Sequence, residues 1–284
     1  MIVTRFAPSP TGELHLGHAA AALFAYRAAM DGGGTFLLRL EDIDPVRCRP
    51  EYAEDIFDFL RWLGLSWPEP VRRQSEHMDD YAAALDKLRA MGLVYPCFCT
   101  RKEVMIEAAA SIHAPHDEIS EAIYPGTCRK LSPLQRAEME AERNRAPVWR
   151  LDMAKALAMT GPLTWTDRGA GQITARPEHF GDVVLARRDV PTSYHLSVVV
   201  DDALQGVTLV TRGNDLMAAT DVHRVLQTLL GLPEPLYHHH PLLLDASGKR
   251  LAKRDKAVTL RSLRDEKTTA QEITQTLSDR MGWK

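Results

Sequence analysis

The sequence predicts an α/β fold, a parallel sheet covered by helices and split by an insertion of different composition. Three observations lead there. Apolar strands alternate with amphipathic helices through residues 1–92, cysteines and then a polar, alanine-rich stretch appear from about residue 93, and the alternation returns at residue 193. Strand–helix alternation with apolar strands places a parallel sheet between layers of helix.

Each element has a local reason. "TRFA" reads as a short strand, broken by Pro8 and Pro10. Leu16 to Met30 is almost wholly apolar or alanine, which suits a helix buried in a larger core. "DGGG" (31–34) stops that helix, and "TFLLRL" (35–40) reads as the next strand. Residues 51–64 set Ile56, Phe59, Leu60 and Leu63 on one helical face before Gly64. Residues 76–91 repeat the pattern with Met78, Tyr81, Leu85, Leu88 and Met91 before Gly92. Within the insertion, Ser132, Pro133 and Gln135 supply a cap, a first-turn proline and a capping box for a helix. Residues 148–176 read as short strands and turns. Alternation then resumes with "SYHLSVVVDD" (193–202), "GVTLVTRG" (206–213) and a helix from about Asp215 to Leu230. The expected division is a first sheet half at 1–92, an insertion at 93–176, a second half at 177–240, and a loop with a helical stub at 241–284.

Composition narrows the class. The chain has 284 residues, 45% hydrophobic and 26% charged, with net charge −3, as in ordinary soluble globular proteins. "MIVTRFAPSPTGELH" lacks a charged start followed by an apolar run, so no secretory signal is expected. No window approaches the length of a membrane helix. Four cysteines in a chain this long point to reduced thiols or metal ligands rather than a disulfide framework. The expected setting is the cytoplasm, and the expected state a monomer. A weakly acidic total does not exclude nucleic-acid binding, because Arg187–Arg188 and Lys249–Lys256 concentrate positive charge locally.

Two strings carry chemistry. In "RFAPSPTGELHLGH" (5–18) a strand ends, prolines and a glycine hold a tight turn, and a helix opens beside His15 and His18. Helix N-termini at the carboxyl ends of parallel strands bind phosphates, and histidines there add hydrogen bonds where negative charge builds. Gly17 allows a nucleotide close to the backbone. The second string, "RLAKR" (250–254), is a compact basic loop suited to a polyanion.

Together these strings resemble the "HIGH" and "KMSKS" signatures of class I aminoacyl-tRNA synthetases, and the first resembles the glutamyl/glutaminyl branch. A small nucleotidylyltransferase is the other owner of an H-x-G-H turn, and the basic loop after "PLLLD" (241–245) argues against it. In "RLAKR", Arg250 replaces the family's first lysine, Ala252 replaces its serine, and Lys253 keeps the lysine slot. The resemblance implies a Rossmann-like doubly wound sheet. It implies that His15, Gly17, His18, Arg250, Lys253 and Arg254 meet ATP, which arrives with Mg²⁺, and that His15, His18 and Lys253 act in catalysis. It also implies a glutamate pocket of Arg5, Phe6, Ala7, Pro8 and Ser9, with Glu41 for the ammonium group and Tyr194 and Arg212 from the second half. Asp42, Asp44, Asp201 and Asp202 are expected to orient neighbours or cap helices.

In the insertion, Cys97, Cys99 and Cys128 give three thiols, one short of a closed tetrahedral zinc site, the alternative being three cysteines without metal. Fourth-ligand candidates are His113, His116, Asp117 and Tyr124, and general ligand statistics favour histidine. "CFC" followed by "YPGTC" resembles a zinc-binding insertion whose tyrosine ligates, which implies Tyr124 and one structural Zn²⁺ per chain. Cys48 is expected to be an ordinary thiol.

The resemblance covers Arg5 to Asp255, with no helical anticodon-binding domain expected in residues 256–284. That anatomy is similar to a paralogous family, the glutamyl-queuosine tRNA(Asp) synthetases. It implies activation of L-glutamate by ATP and transfer to queuosine in the anticodon loop of tRNA(Asp). Two other readings share the residues: a minimal glutamyl-tRNA synthetase charging a tRNA 3′ end, and a non-catalytic regulator that binds tRNA or glutamate. Arg72, Arg73, Arg187, Arg188 and Lys256 are the candidate tRNA contacts.

Overall fold

A computed structural model describes residues 1–110, 123–243 and 259–282. Its centre is a run of parallel strands. β1 (Val3–Phe6), β2 (Thr35–Leu40) and β3 (Arg72–Arg73) lie in that order, with Val3 opposite Thr35 and Phe6 opposite Leu38. On the other side of β1 stands β9 (Leu209–Gly213), joined where Thr208 N donates to Val3 O at 3.0 Å and Thr208 Oγ1 accepts from Val3 N at 2.8 Å. Next come β10 (Leu236–His240) and β6 (Thr164–Asp167), both parallel, and then β7 (Gly171–Thr174), antiparallel at the edge. The chain leaves β1 toward β2 and comes back to its other side with β9, which makes the carboxyl end of β1 the switch point where such sheets bind ligands.

Helices cover this sheet for reasons visible in their side chains. α1 (Leu16–Asp31) buries Ala19, Ala20, Ala22, Ala25 and Ala29, small residues that bring it close to the strands, and Thr4 Oγ1 donates to Ala25 O at 2.8 Å. α2 (Pro50–Trp62) starts on a proline and buries Ile56, Phe59 and Leu60. α3 (Met78–Ala90) turns Tyr81, Leu85 and Leu88 to a second core, shared with α7 (Tyr194–Leu204) and α8 (Ala219–Leu230). In "SYHLSVVVDD" the valine run is helical despite its β-branching, because burial in that core outweighs a few tenths of a kcal/mol of propensity per residue.

The insertion is interleaved with the main sheet rather than bounded at 93 and 176. β6 and β7 precede residue 176 yet belong to the parallel sheet: Arg168 N donates to Tyr237 O at 2.8 Å, and Trp165 is buried against Tyr237. Conversely, β8 (Val184–Ala186) follows residue 176 and pairs antiparallel with β5 (Val148–Leu151), itself antiparallel to β4 (Val94–Cys97). Around this small sheet are α4 (Arg101–Ala110), α5 (Pro133–Arg143) and α6 (Met153–Thr160). α5 starts with the expected box, Gln135 N donating to Ser132 Oγ and Ser132 N to Gln135 Oε1. β10 ends at His240, because Pro241, which opens "PLLLD", cannot donate to a ladder, and 241–243 are irregular.

Two helices close the described chain, α9 (Leu260–Asp265) and α10 (Ala270–Met281). They are part of the first core, where Leu260, Ile273 and Leu277 join Leu14, Phe59 and Leu243. No helix among the described residues is long and apolar enough to cross a membrane. Because Leu277 is fully buried, Leu277→Ala should cost about 2–5 kcal/mol. A urea midpoint unchanged from that of the parent protein would show that α10 does not hold the core.

Candidate active site

A cleft of about 260 Å³ opens at the carboxyl ends of β1, β9 and β10. Its wall includes Arg5, Phe6, Ala7, His15, Gly17, His18, Glu41, Tyr194 and Arg212, so residues expected from both halves of the sheet converge. Pro8 and Ser9 are not in the wall. Pro8 is buried, its carbonyl accepting from Glu41 N at 3.0 Å, and Ser9 is exposed on the turn, its carbonyl accepting from Thr11 N. Arg250, Ala252, Lys253 and Arg254 lie outside the described residues, as do His113, His116, Asp117 and Lys256.

The histidine turn is a capped helix start. Gly17 N donates to His15 Nδ1 at 3.1 Å and His15 N to His18 Nδ1 at 3.2 Å, with the two rings 3.9 Å apart. A Cβ at Gly17 would stand 2.9 Å from His15 Cε1. Glycine is therefore required first for the His15 ring to fold back over its own helix. Thr259 pairs antiparallel with His15, and Leu260 N donates to Leu14 O at 2.8 Å, so the chain beyond the basic loop is tied to this turn.

The floor of the cleft is a buried charge network. Arg5 donates to Asp202 through Nε at 2.9 Å and Nη2 at 3.3 Å, and to Thr211 O through Nη1 at 3.2 Å. Arg39, fully buried, reaches Asp202 at 2.9 Å, Glu41 at 3.5 Å and Asp201 at 3.6 Å. Asp201 also accepts from Arg72, Gln74 and Tyr81. Burial alone would lift the Asp202 carboxyl, but Arg5 and Arg39 hold it below the ordinary range. For Glu41 the balance is opposite: burial pushes its carboxyl up, and Arg39 and Arg5 only partly offset that. A carboxyl in that condition gains when a cation arrives. Arg39 escaped sequence reasoning, although a lone arginine inside an apolar strand was the available signal.

In the same cleft, Arg212 is held by Tyr194 Oη at 3.2 Å, His223 Nδ1 at 3.2 Å, His239 Nε2 at 3.1 Å and Thr220 Oγ1. Burial, with Arg212 adding to it, lowers His239 to about 4 against the pull of Asp167. Burial likewise holds His223 well below its usual value, with Arg212 adding to the effect. His223, His239, Thr220 and Asp167 were not foreseen, since scattered histidines carry no motif. Thr211, Gly213, Asp215 and His240 of the wall were also missed, although each sits within three residues of Arg212 or the proline ending β10.

A second cluster lies in the insertion. The thiols of Cys97, Cys99 and Cys128 lie within 4.8 Å of one another, with Cys99 Sγ 3.5 Å from Cys128 Sγ and 3.7 Å from Tyr124 Oη. A tetrahedral Zn²⁺ with about 2.3 Å bonds sets sulfurs about 3.8 Å apart, so these donors fit the ion. Burial keeps the Tyr124 phenol raised, and ligation there would displace its proton. Arg188 donates to Cys99 O at 2.9 Å and Ala146 O at 2.8 Å, and the Arg150 guanidinium stands 4.0 Å from the Tyr124 ring centre. Arg72, Arg187 and Arg188 are engaged within the chain, Arg72 with Asp201 and Arg187 with Asp44 and Asp189. The Cys48 thiol stands 4.0 Å from the Glu41 carbonyl, and burial pushes it up.

Comparison with known proteins agrees with this geometry. The family model for tRNA synthetases class I (E and Q), catalytic domain, matches residues 1–284. A glutamyl-Q tRNA(Asp) synthetase of Rhodobacter capsulatus is 48% identical over 279 residues, covering 96% of this chain and 98% of the relative. That of Nitratidesulfovibrio vulgaris is 45% identical, covering 96% of this chain and 84% of the relative. The crystal structure of a glutamate tRNA ligase from Elizabethkingia meningosepticum, in complex with its amino acid, superposes with TM-score 0.72 at 28% identity. That match covers 89% of this chain and 52% of the ligase. A parallel sheet with its cleft at the β1 switch point, a histidine-capped first helix and these matches place the chain in the glutamate–glutamine group of class I tRNA synthetases, among the glutamyl-Q tRNA(Asp) synthetases.

Proposed function

We propose that the protein activates L-glutamate with ATP as glutamyl-adenylate and transfers the glutamyl group to queuosine in the anticodon loop of tRNA(Asp). The observation that carries this reading is the cleft itself, whose wall brings Glu41 and Arg212 together with the histidine turn. A glutamate carries one ammonium and two carboxylates, and the cleft offers one carboxyl pushed up by burial and two arginines. In this reading Glu41 takes the ammonium, Arg212 and Tyr194 take the side-chain carboxylate, and Arg5, Phe6 and Ala7 line the backbone of the substrate. Arg5 engages three of its five N–H groups internally, one each on Nε, Nη1 and Nη2, which leaves donors for the ligand.

The α-carboxylate then attacks the α-phosphorus of ATP, and pyrophosphate leaves. His15 and His18 sit where phosphate charge develops, and Gly17 keeps the approach open. Lys253, with Arg250 and Arg254, is assigned to the leaving pyrophosphate, and Mg²⁺ accompanies ATP. A hydroxyl of queuosine attacks the mixed anhydride, an ester forms, AMP departs, and the hydroxyl proton passes to solvent. No side chain need become covalently bound, because positioning and electrostatics supply the rate. A monomer in the cytoplasm remains the expected setting.

Labelled glutamate offered with ATP to total tRNA tests the acceptor. Label should enter queuosine-containing tRNA and be absent from queuosine-free tRNA. Equal labelling of both would instead indicate a glutamyl-tRNA synthetase acting at the 3′ end, and no pyrophosphate exchange with any tRNA would indicate a regulator.

One structural Zn²⁺ is assigned to Cys97, Cys99, Cys128 and Tyr124, where it would pin "CFC" to "YPGTC". Elemental analysis should find one zinc per chain, and Cys99→Ser should lose it while α1 and the parallel sheet stay folded by hydrogen exchange. A wild-type protein folded to the same midpoint with and without chelator would remove the metal from this account.

A further inference from the structure

Arg212 differs from Arg5 and Arg39 in what surrounds it. Those two pair directly with Asp202. Arg212 is only 6% exposed and directs four of its five N–H groups to uncharged acceptors, one from Nε, two from Nη1 and one from Nη2. Among the described residues it forms no ion pair. A guanidinium only donates, so His239 Nε2 and His223 Nδ1 must each present a lone pair. His239 then carries its proton on Nδ1 and gives it to Asp167 Oδ2 at 2.8 Å. His223 correspondingly carries its proton on Nε2 and gives it to His195 Nδ1 at 3.2 Å. The nearest carboxylate in this chain of contacts, Asp167, reaches Arg212 only through a neutral imidazole.

We propose that this uncharged acceptor shell sets the selectivity of the site: His223, His239 and Thr220 position Arg212 without neutralising it, so that only an anionic substrate side chain satisfies its charge. The inference rests on the reading of Arg212 as the partner of the side-chain carboxylate. A buried, uncompensated cation is costly. A glutamate carboxylate relieves that cost, whereas the carboxamide of glutamine fills the same space and leaves the charge standing. These three residues are positioning residues, since they act on substrate only through Arg212.

His223 allows a near-isosteric test, because an Asp or Asn side-chain oxygen occupies the place of Nδ1. The readout is pyrophosphate exchange with glutamate and with glutamine, expressed as the ratio of the two kcat/KM values. His223→Asn keeps a neutral acceptor and should keep the preference for glutamate. His223→Asp puts a carboxylate against Arg212 Nη1, and the ratio should fall on the order of a hundredfold. A loss of folding alone would lower both activities and leave their ratio in place. Thr220→Asp against Thr220→Asn poses the same comparison from Nη2. The proposal is overturned if the acidic and amide variants at both positions share the parental ratio. Arg212→Leu separates the two levels. Wild-type glutamate KM and ratio in that variant would remove the underlying reading, whereas impaired glutamate use there, together with unchanged ratios in the acidic variants, would remove only the role of the shell.

Discussion

Asp202 is the constraint around which the cleft is arranged. It ends "SYHLSVVVDD" on α7, yet its carboxylate receives Arg5 from β1 and Arg39 from β2. Three separate parts of the chain thereby meet at one buried oxygen pair beneath the switch point. An unpaired arginine at this depth would cost several kcal/mol, so any packing that moved α7 away from β1 would strand two cations. Asp201, its neighbour, does the same for Arg72, Gln74 and Tyr81 and so joins β3 and α3 to the same helix. The valine run before these aspartates is helical and turns its apolar face to the second core.

That arrangement divides the arginines of the cleft into two kinds. Arg5 and Arg39 are neutralised from below, which fixes their position and lowers their pull on a ligand. Arg212 is positioned by neutral groups and keeps its charge. Glu41, lifted by burial, completes the pattern as a carboxyl that gains when a cation arrives. The histidine turn sits beside these groups because α1 starts where β1 ends, and Thr259 and Leu260 tie the far end of the basic loop to the same turn. The cysteine cluster stands apart, in its own small core with Tyr95, Phe98 and Tyr124, and its geometry bears on the insertion rather than on the cleft.

Much of this was legible in the sequence, and the reasons are physical. α2 and α3 follow their periodicity and α1 its apolar run, because each turns apolar side chains to a core wherever in the chain its partners lie. The capping box at Ser132 is a local rule and was kept. Motif-bearing residues, Arg5, His15, Gly17, His18, Glu41, Tyr194 and Arg212, come together because their spacing is tied to strand ends. What was hidden depends on long-range pairing. Trp165 and Asp167 looked like part of the insertion, since nothing local reveals that β6 pairs with β10, seventy residues later. Arg39, His223 and His239 act through partners far away in sequence, and the neutrality of the histidines follows only from who donates to whom. Pro8 and Ser9 were placed by motif, but a turn need not point every residue inward.

The role of Asp202 is open to one direct measurement, the glutamate kcat/KM of Asp202→Asn in pyrophosphate exchange, taken on protein shown to be folded. Removing one carboxylate charge should free Arg5 and Arg39 to repel each other and misplace the cleft floor, lowering kcat/KM by about tenfold or more with a raised glutamate KM. A folded Asp202→Asn with parental glutamate kinetics would contradict the claim that this buried carboxylate organises the site.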